Sequence, residues 1–189
     1  MADVVNMNEF NEQFAVNFNT EEAKIAKEVA QQFVVKLSGG LLKTTRRETE
    51  VMLKLVADAN PQQVEQLSNL VSGIKFTEEN GYRTLMRMCE SLFGTGINWG
   101  RIITLFLYVS LLIDDLHKAG KDTFNDRIGH WLGCCIAKQA PWIKENGGWA
   151  AFLSSMGGAS ELKDTVFKGL FNVTLGLGTI AAALYIKGR

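Results

Sequence analysis

The amino-acid sequence predicts an all-α protein: a helical bundle around a central hydrophobic hairpin, followed by a hydrophobic C-terminal tail helix. Apolar residues recur every three or four positions along most of the 189 residues, and no segment shows a convincing strand alternation. The segment Ile102–Ile113 is apolar on all sides and is interrupted only by Thr104 and Ser110. Because such a helix needs other helices packed around it, we expect it at the centre of the bundle.

The helix boundaries are predicted from capping residues and helix breakers. Asn19 is expected to cap the first helix, and Asn60 with Pro61 separates the second helix from the third, because a proline at the first helical position loses only a donor that has no partner there. The predicted helices are about residues 20–37, about 46–59, one from Pro61, one opened by Thr77-Glu78-Glu79, the central one capped by Asn98, about 122–140 ended by Pro141, and two short helices around Trp142 and Trp149.

The composition favours one domain that faces the cytosol. With 47% hydrophobic and 21% charged residues, the chain can bury a substantial core. Its 20 basic and 20 acidic residues cancel, so a nucleic-acid partner is not expected. The three cysteines, Cys89, Cys134 and Cys135, suit reduced thiols better than a disulfide framework. The N-terminal residues do not have the pattern of a secretory signal.

The C-terminal segment Gly169–Ile186 carries no charged residue and is flanked on both sides by basic residues. As a helix it would be about 27 Å long, close to the roughly 30 Å hydrocarbon core of a bilayer. This pattern is typical of a tail anchor, and the alternative is a buried last helix that packs on the domain. The predicted division is an N-terminal segment 1–18, a helical bundle domain 19–160 and a tail-anchor helix 163–189.

Arg101 occupies an unfavourable place for a cation. With Asn98 as the cap, it is the third residue of the central helix, where the positive end of the helix dipole disfavours a cation by a few tenths of a kcal/mol to about 1 kcal/mol. A carboxylate elsewhere in the chain could compensate. The neighbouring Gly100 and the apolar residues around it favour another compensation, an acidic residue on an amphipathic helix that binds in a groove.

Three segments resemble motifs of a known family. LFGTGINWGRI (residues 92–102) and PWIKENGGWAAF (residues 141–152) look like the first and second homology motifs of the Bcl-2 family of apoptosis regulators, and VAQQFVVKLS (residues 29–38) is similar to the fourth. The first two motifs at this spacing are far more specific than either alone. The resemblance implies a Bcl-2-like helical bundle with a surface groove. It also implies binding of the third-homology helix of other members, and thereby control of permeabilisation of the outer mitochondrial membrane.

The resemblance implies a set of groove residues. Arg101 resembles the arginine that pairs with the aspartate of the ligand helix, Asn98 matches the neighbouring polar contact, and Gly100 matches the position of close approach. The implied apolar lining is Met88 and Leu92 on the fourth helix, Ile103 and Thr104 on the central helix and, with a one-residue alignment gap near Pro61, Leu67 and Leu70 on the third. Trp99, Trp142 and Trp149 are expected to pack and hold the shape of the groove.

The family contains survival factors and killers with the same fold. A killer presents its own third-homology helix with the pattern L-x-x-x-G-D, which Leu53–Asp58 matches with Ala57 in place of the glycine. Pro61 would disrupt a donated helix at a cost of roughly 3 kcal/mol, which favours a survival factor. The alternative is a pore-forming killer that oligomerises in the outer mitochondrial membrane, because GINWGRIITL and the cysteine-bearing sixth helix also resemble such members.

A survival factor is expected to sequester the third-homology helices of pro-apoptotic members. Its tail would hold it on the outer mitochondrial membrane or the endoplasmic reticulum, facing the cytosol; formation of a homodimer or heterodimer is left open. No enzyme is predicted, because Gly94-x-Gly96 lacks the third glycine and the preceding strand of a dinucleotide loop. His130 and Cys134 are too few for a zinc site, so neither a cofactor nor a metal is expected.

Overall fold

The computed structural model describes residues 16–74, 76–77 and 80–156, which form helices joined by short turns and contain no strand. The helices are α1 (Glu21–Leu37), α2 (Arg47–Ala57), α3 (Pro61–Ser72), α4 (Gly81–Phe93), α5 (Trp99–Lys118), α6 (Asn125–Ala137), α7 (Ala140–Glu145) and α8 (Gly148–Met156). A single 3-10 turn, Asp122–Phe124, links α5 to α6. The predicted all-α fold class is confirmed.

The helix α5 is the centre of the bundle, as predicted. Twelve of its residues are buried, and α1, α2, α3, α4 and α6 all pack on it. Its Phe106 meets Phe33 of α1 edge-on, with ring centroids 4.9 Å apart. The helix extends beyond Ile113 to Lys118, because Leu116 continues the buried face while its neighbours are exposed.

The helices α1 and α6 form the most extensive helix pair. Glycines one turn apart on α6 let the two backbones approach closely: a Cβ at Gly133 would lie 3.2 Å from Cα of Lys27, and one at Gly129 would lie 3.4 Å from Cα of Gln31. Since close-packed interiors tolerate little added volume, this face of α6 depends on its small residues.

The boundary between α2 and α3 is confirmed, whereas the predicted cap of α1 is one residue off. Asn60 caps α3, and its Oδ1 accepts a hydrogen bond from the Gln62 N–H at 2.9 Å. Thr20, and not Asn19, caps α1, because its Oγ1 accepts from the Ala23 N–H at 3.3 Å. Both residues can cap a helix, so the sequence alone could not choose between neighbours.

Two further predicted boundaries are wrong. The fourth helix begins at Gly81 and not at Thr77, because Thr77 and Asn80 exchange hydrogen bonds that close a turn first: the Thr77 N–H donates to Asn80 Oδ1 at 2.9 Å, and the Asn80 N–H donates to Thr77 Oγ1 at 3.3 Å. The predicted helix over 122–140 is divided into the 3-10 turn, α6 and the start of α7. Pro141 lies in the first turn of α7, where proline is well tolerated.

The predicted tail-anchor helix 163–189 lies outside the described residues, as do residues 1–15. In the ranges that are described, none of the helices combines the length and the apolar character that crossing a membrane requires.

Candidate functional site

The first turn of α5 holds Arg101 against the end of α4. Asn98 caps α5, and its Oδ1 accepts from the Arg101 N–H at 2.9 Å. Nη1 of Arg101 donates to the carbonyl oxygens of Leu92, at 3.0 Å, and Gly96. Leu92 lies in the last turn of α4, whose carbonyls form the negative end of that helix dipole. The end of α4 therefore offsets the unfavourable position of Arg101 at the start of α5.

The sequence suggested a carboxylate as the partner of Arg101, either elsewhere in this chain or on a bound helix, and the second of these stays a prediction. The ion pairs among the described residues involve Arg46, His117 and Lys118, so Arg101 has no carboxylate partner there. Gly96 contributes its carbonyl because the turn after α4 gives it a φ of +120°, a conformation that favours glycine. The glycines of the Gly94-Thr95-Gly96 break were the available signal that the chain turns back towards Arg101 here.

One edge of the Arg101 guanidinium remains open. Arginine has N–H donors on Nε, Nη1 and Nη2, and only Nη1 is engaged within the described part of the chain. The Nε and Nη2 edge can bind a carboxylate in a bidentate manner. Arg101 is partly exposed and Asn98 is exposed.

An aromatic cluster packs around Trp99, the first residue of α5. The ring of Trp99 lies 5.5 Å from that of Trp142, 5.5 Å from that of Trp149 and 5.0 Å from that of Phe152. Trp149 is buried, and its Nε1 donates to the carbonyl oxygen of Glu22 at 3.1 Å. The prediction that the three tryptophans pack is confirmed, and the cluster limits the movement of the first turn of α5.

The other predicted site residues lie on α3, α4 and α5. The helix α3 packs on α5, and α4 packs on α5 and α6, whereas α3 and α4 contact each other marginally at most in the described ranges. Five of the predicted lining residues are buried, at most 3% exposed: Met88, Leu92, Ile103, Thr104 and Leu67. Gly100 is buried and its carbonyl oxygen accepts from Thr104 Oγ1 at 2.8 Å. Leu70 lies on α3, but its side chain is outside the description.

The predicted apolar lining is therefore buried in this structure. Among the predicted site residues whose side chains the structure describes, only Arg101 and Asn98 are partly or fully exposed. The assignment of these residues to a binding site stays a prediction. The sequence did not show that most of them are buried, because burial depends on how closely distant helices approach.

His130 and Cys134, which the sequence offered as possible metal ligands, lie one turn apart on α6. His130 Nε2 lies 3.7 Å from Cys134 Sγ, and no group of three potential metal ligands occurs among the described residues. Burial raises the pKa of Cys134 to about 11, so its thiol is protonated and a poor nucleophile at neutral pH. All three cysteines are free and buried.

Residues 52–149, which include every candidate site residue, match the family model described as apoptosis regulator proteins, Bcl-2 family. The chain belongs to the Bcl-2 family. Bcl-2-like protein 1 of Rattus norvegicus is 27% identical over 122 residues, which are 64% of this chain and 52% of the relative. The Bcl-2 homologous antagonist/killer of Homo sapiens is 26% identical over 137 residues, which are 70% and 59% of the two chains. This Bcl-2 family member thus spans between half and three fifths of these relatives.

Two solved structures share the fold. The zebrafish pro-survival protein NRZ in its apo form has a TM-score of 0.65 and 20% identity, covering 77% of this chain and 99% of that one. Trichoplax adhaerens trBcl-2L2 bound to trBak BH3 has a TM-score of 0.60 and 21% identity, covering 71% and 98%. The resemblance to the Bcl-2 family that the sequence motifs indicated is confirmed.

Proposed function

We propose that this Bcl-2 family member regulates apoptosis by binding the third-homology helix of pro-apoptotic relatives, whose aspartate pairs with Arg101. The open Nε and Nη2 edge of Arg101 carries this proposal. Its Nη1 is held by Leu92 and Gly96, so the free edge has a defined position and loses little conformational entropy when a carboxylate binds. The structure of trBcl-2L2 bound to trBak BH3 supports the class of partner.

The apolar face of the guest helix would enter between α3 and α4. Within the described ranges α3 packs substantially on α5 alone, so a movement of α3 would leave the contacts among the other helices in place. The guest would replace these contacts with its own apolar side chains over Leu67, Met88 and Ile103. Gly100, which carries no side chain, leaves room for the guest backbone beside Arg101.

The experiment is a double-mutant cycle with a synthetic third-homology peptide of a killer. Removal of one partner of a desolvated ion pair costs about 2 to 5 kcal/mol, so Arg101→Ala should weaken the peptide by roughly 30-fold or more. A peptide with asparagine in place of its aspartate should bind the wild-type protein more weakly than the original peptide does. The two peptides should bind the Arg101→Ala variant with similar affinities. Arg87→Ala, a change at an exposed arginine of α4, is the matched control. Equal affinities of Arg101→Ala and wild type would refute the pairing.

We further propose the survival role, in which capture of the killer helix restrains permeabilisation of the outer mitochondrial membrane. The end of the third-homology segment supports it: α2 stops at Ala57, Asp58 is its C-cap, and a new helix begins at Pro61. The helix α2, which carries this segment, is also held in place, because its Met52 is fully buried and its Thr49 hydroxyl donates to Gln32 Oε1 at 3.0 Å. A killer would have to break these contacts to donate the segment.

Dye release from liposomes separates this role from that of a pore-former. The full chain should block leakage caused by an active killer and should cause none when a third-homology peptide is added. Leakage caused by this protein with the peptide would favour the alternative. We also propose that residues 163–189 anchor the chain on the outer mitochondrial membrane or the endoplasmic reticulum; recovery of the full chain wholly in the cytosolic fraction of cells would contradict that.

A further inference from the structure

Two large hydrophobic side chains of the described residues are exposed, and both lie where α1 runs into the loop that leads to α2 (residues 38–46). Leu41 is 97% exposed and Leu37 is 37% exposed. We propose that this loop docks on an anionic lipid surface, with Leu41 inserted among the lipids. The inference depends neither on Arg101 nor on the groove between α3 and α4.

The start of the loop is a defined turn. The Gly40 N–H donates to the carbonyl oxygen of Val35 at 2.8 Å, and the Gly39 N–H donates to that of Lys36 at 3.2 Å. With a φ of +74° at Gly39, these bonds form a Schellman-type helix end. Leu41 follows this turn directly, so its exposure is set by the backbone and not by a flexible tether.

The other end of the loop is held by Arg46. Its N–H donates to Gln32 Oε1 at 2.8 Å, and its guanidinium pairs with Glu28 at 2.7 Å and with Glu48 at 3.2 Å. The charge of Arg46 is therefore matched by carboxylates on α1 and α2. Its role is to fasten the base of the loop, which leaves Leu41 on a surface segment fixed at both ends.

Every charged residue within residues 36–47 is basic. Lys36, Lys43 and Arg47 are exposed and form no ion pair with the described residues. The sequence has no aspartate or glutamate between Glu28 and Glu48. An exposed leucine in a segment whose charged residues are all basic is complementary to a surface with anionic groups outside and apolar groups beneath. The headgroup region of an anionic bilayer has this character.

A lipid surface fits these residues better than a protein groove does. The central anchors of protein interfaces are enriched in tryptophan, tyrosine and arginine, while leucine is under-represented. The loop has no aromatic residue, and the arginine at its base is already engaged by Glu28 and Glu48. One inserted leucine and several lysine or arginine side chains are the features with which peripheral segments bind anionic membranes.

The test compares partitioning of the full chain into phosphatidylcholine vesicles with and without phosphatidylserine. The ratio of the two partition coefficients cancels a contribution of the tail, which every variant retains. Each cation near an anionic surface strengthens binding roughly fivefold, so the triple variant Lys36→Gln, Lys43→Gln, Arg47→Gln should lower this ratio by about a hundredfold. The control replaces three exposed lysines by glutamine elsewhere: Lys24, Lys121 and Lys144. An equal loss in the control would mean that only net charge matters, and would overturn the proposal.

Insertion of Leu41 is tested separately. Leu41→Ser should weaken binding to the anionic vesicles by roughly tenfold or more, because the transfer of one leucine side chain is lost. A nitroxide at Leu41→Cys should become shielded from a water-soluble nickel chelate when anionic vesicles are added, while one at exposed Ser68→Cys should stay accessible. A Leu41 label that stays in water while the chain is bound, or that only a protein partner shields, would overturn the proposal.

Discussion

Replacement of Arg101 by alanine should destabilise the fold even when no ligand is present. The guanidinium donates to the carbonyl oxygens of Leu92 and Gly96, and so it joins the end of α4 to the start of α5. Alanine would leave these carbonyls to water and would remove a cation from the negative end of the α4 dipole.

The expected loss follows from opposing contributions. A hydrogen bond to a charged donor contributes about 1.5 to 3 kcal/mol when well shielded, and we take about 1 kcal/mol for each bond of Arg101, because the side chain is partly exposed. Removal of the cation from the positive end of α5 returns roughly 0.5 kcal/mol. The free energy of unfolding should therefore fall by about 1.5 kcal/mol.

Urea unfolding followed by circular dichroism measures this quantity. Arg101→Lys should retain part of the stability, since one ammonium keeps the charge but not the fixed geometry of the guanidinium. Arg87→Ala is the control, with an expected change within about 0.5 kcal/mol. If Arg101→Ala were as stable as the wild type or more stable, the α4 carbonyls would not compensate the charge. Arg101 would then be a strained cation whose only partner arrives with the ligand.

Three other changes test the fold and its response to pH. Asn60→Ala should lower the free energy of unfolding by about 1 kcal/mol, because the Gln62 N–H loses its acceptor; urea titration measures it. Gly133→Val should cost about 1 to 3 kcal/mol and lower the melting temperature, because its Cβ would press on the Lys27 backbone. Burial is the larger cause, and the charge of Lys27 the smaller, of a lowered pKa of His130 in the folded protein. As the pH falls, His130 is therefore protonated at a higher pH in the unfolded chain than in the folded one. Stability should fall as the pH drops below about 6.5, and less so in His130→Asn.

Local sequence patterns predicted the parts of the fold that depend on neighbours along the chain. The apolar run Ile102–Ile113 became the central helix, and Asn60 with Pro61 became a helix start. The predictions failed where two adjacent residues could each serve, as with Asn19 and Thr20, or where a turn preceded the helix, as with Thr77 and Asn80. In these cases the choice depends on small differences in packing that the order of residues does not carry.

In the candidate site, too, the sequence could predict some features and not others. Its motif residues Asn98, Gly100 and Arg101 could be named from the sequence, because family resemblance and capping rules act on contiguous residues. The burial of Met88 and Ile103 could not, because it results from the approach of α3, α4 and α5 to one another.

By itself, the sequence determined the all-α class, the central helix, the separation of α2 from α3 and the membership of the Bcl-2 family. The tertiary structure alone decided what Arg101 touches and which apolar side chains water can reach. A carbonyl of α4 can compensate a cation of α5 only when the intervening turn brings the two helix ends together. Likewise, Leu41 and Leu67 are the same amino acid in different surroundings. Leu41 is exposed because it follows the turn at the end of α1, whereas Leu67 is buried because it lies on α3, which packs on α5.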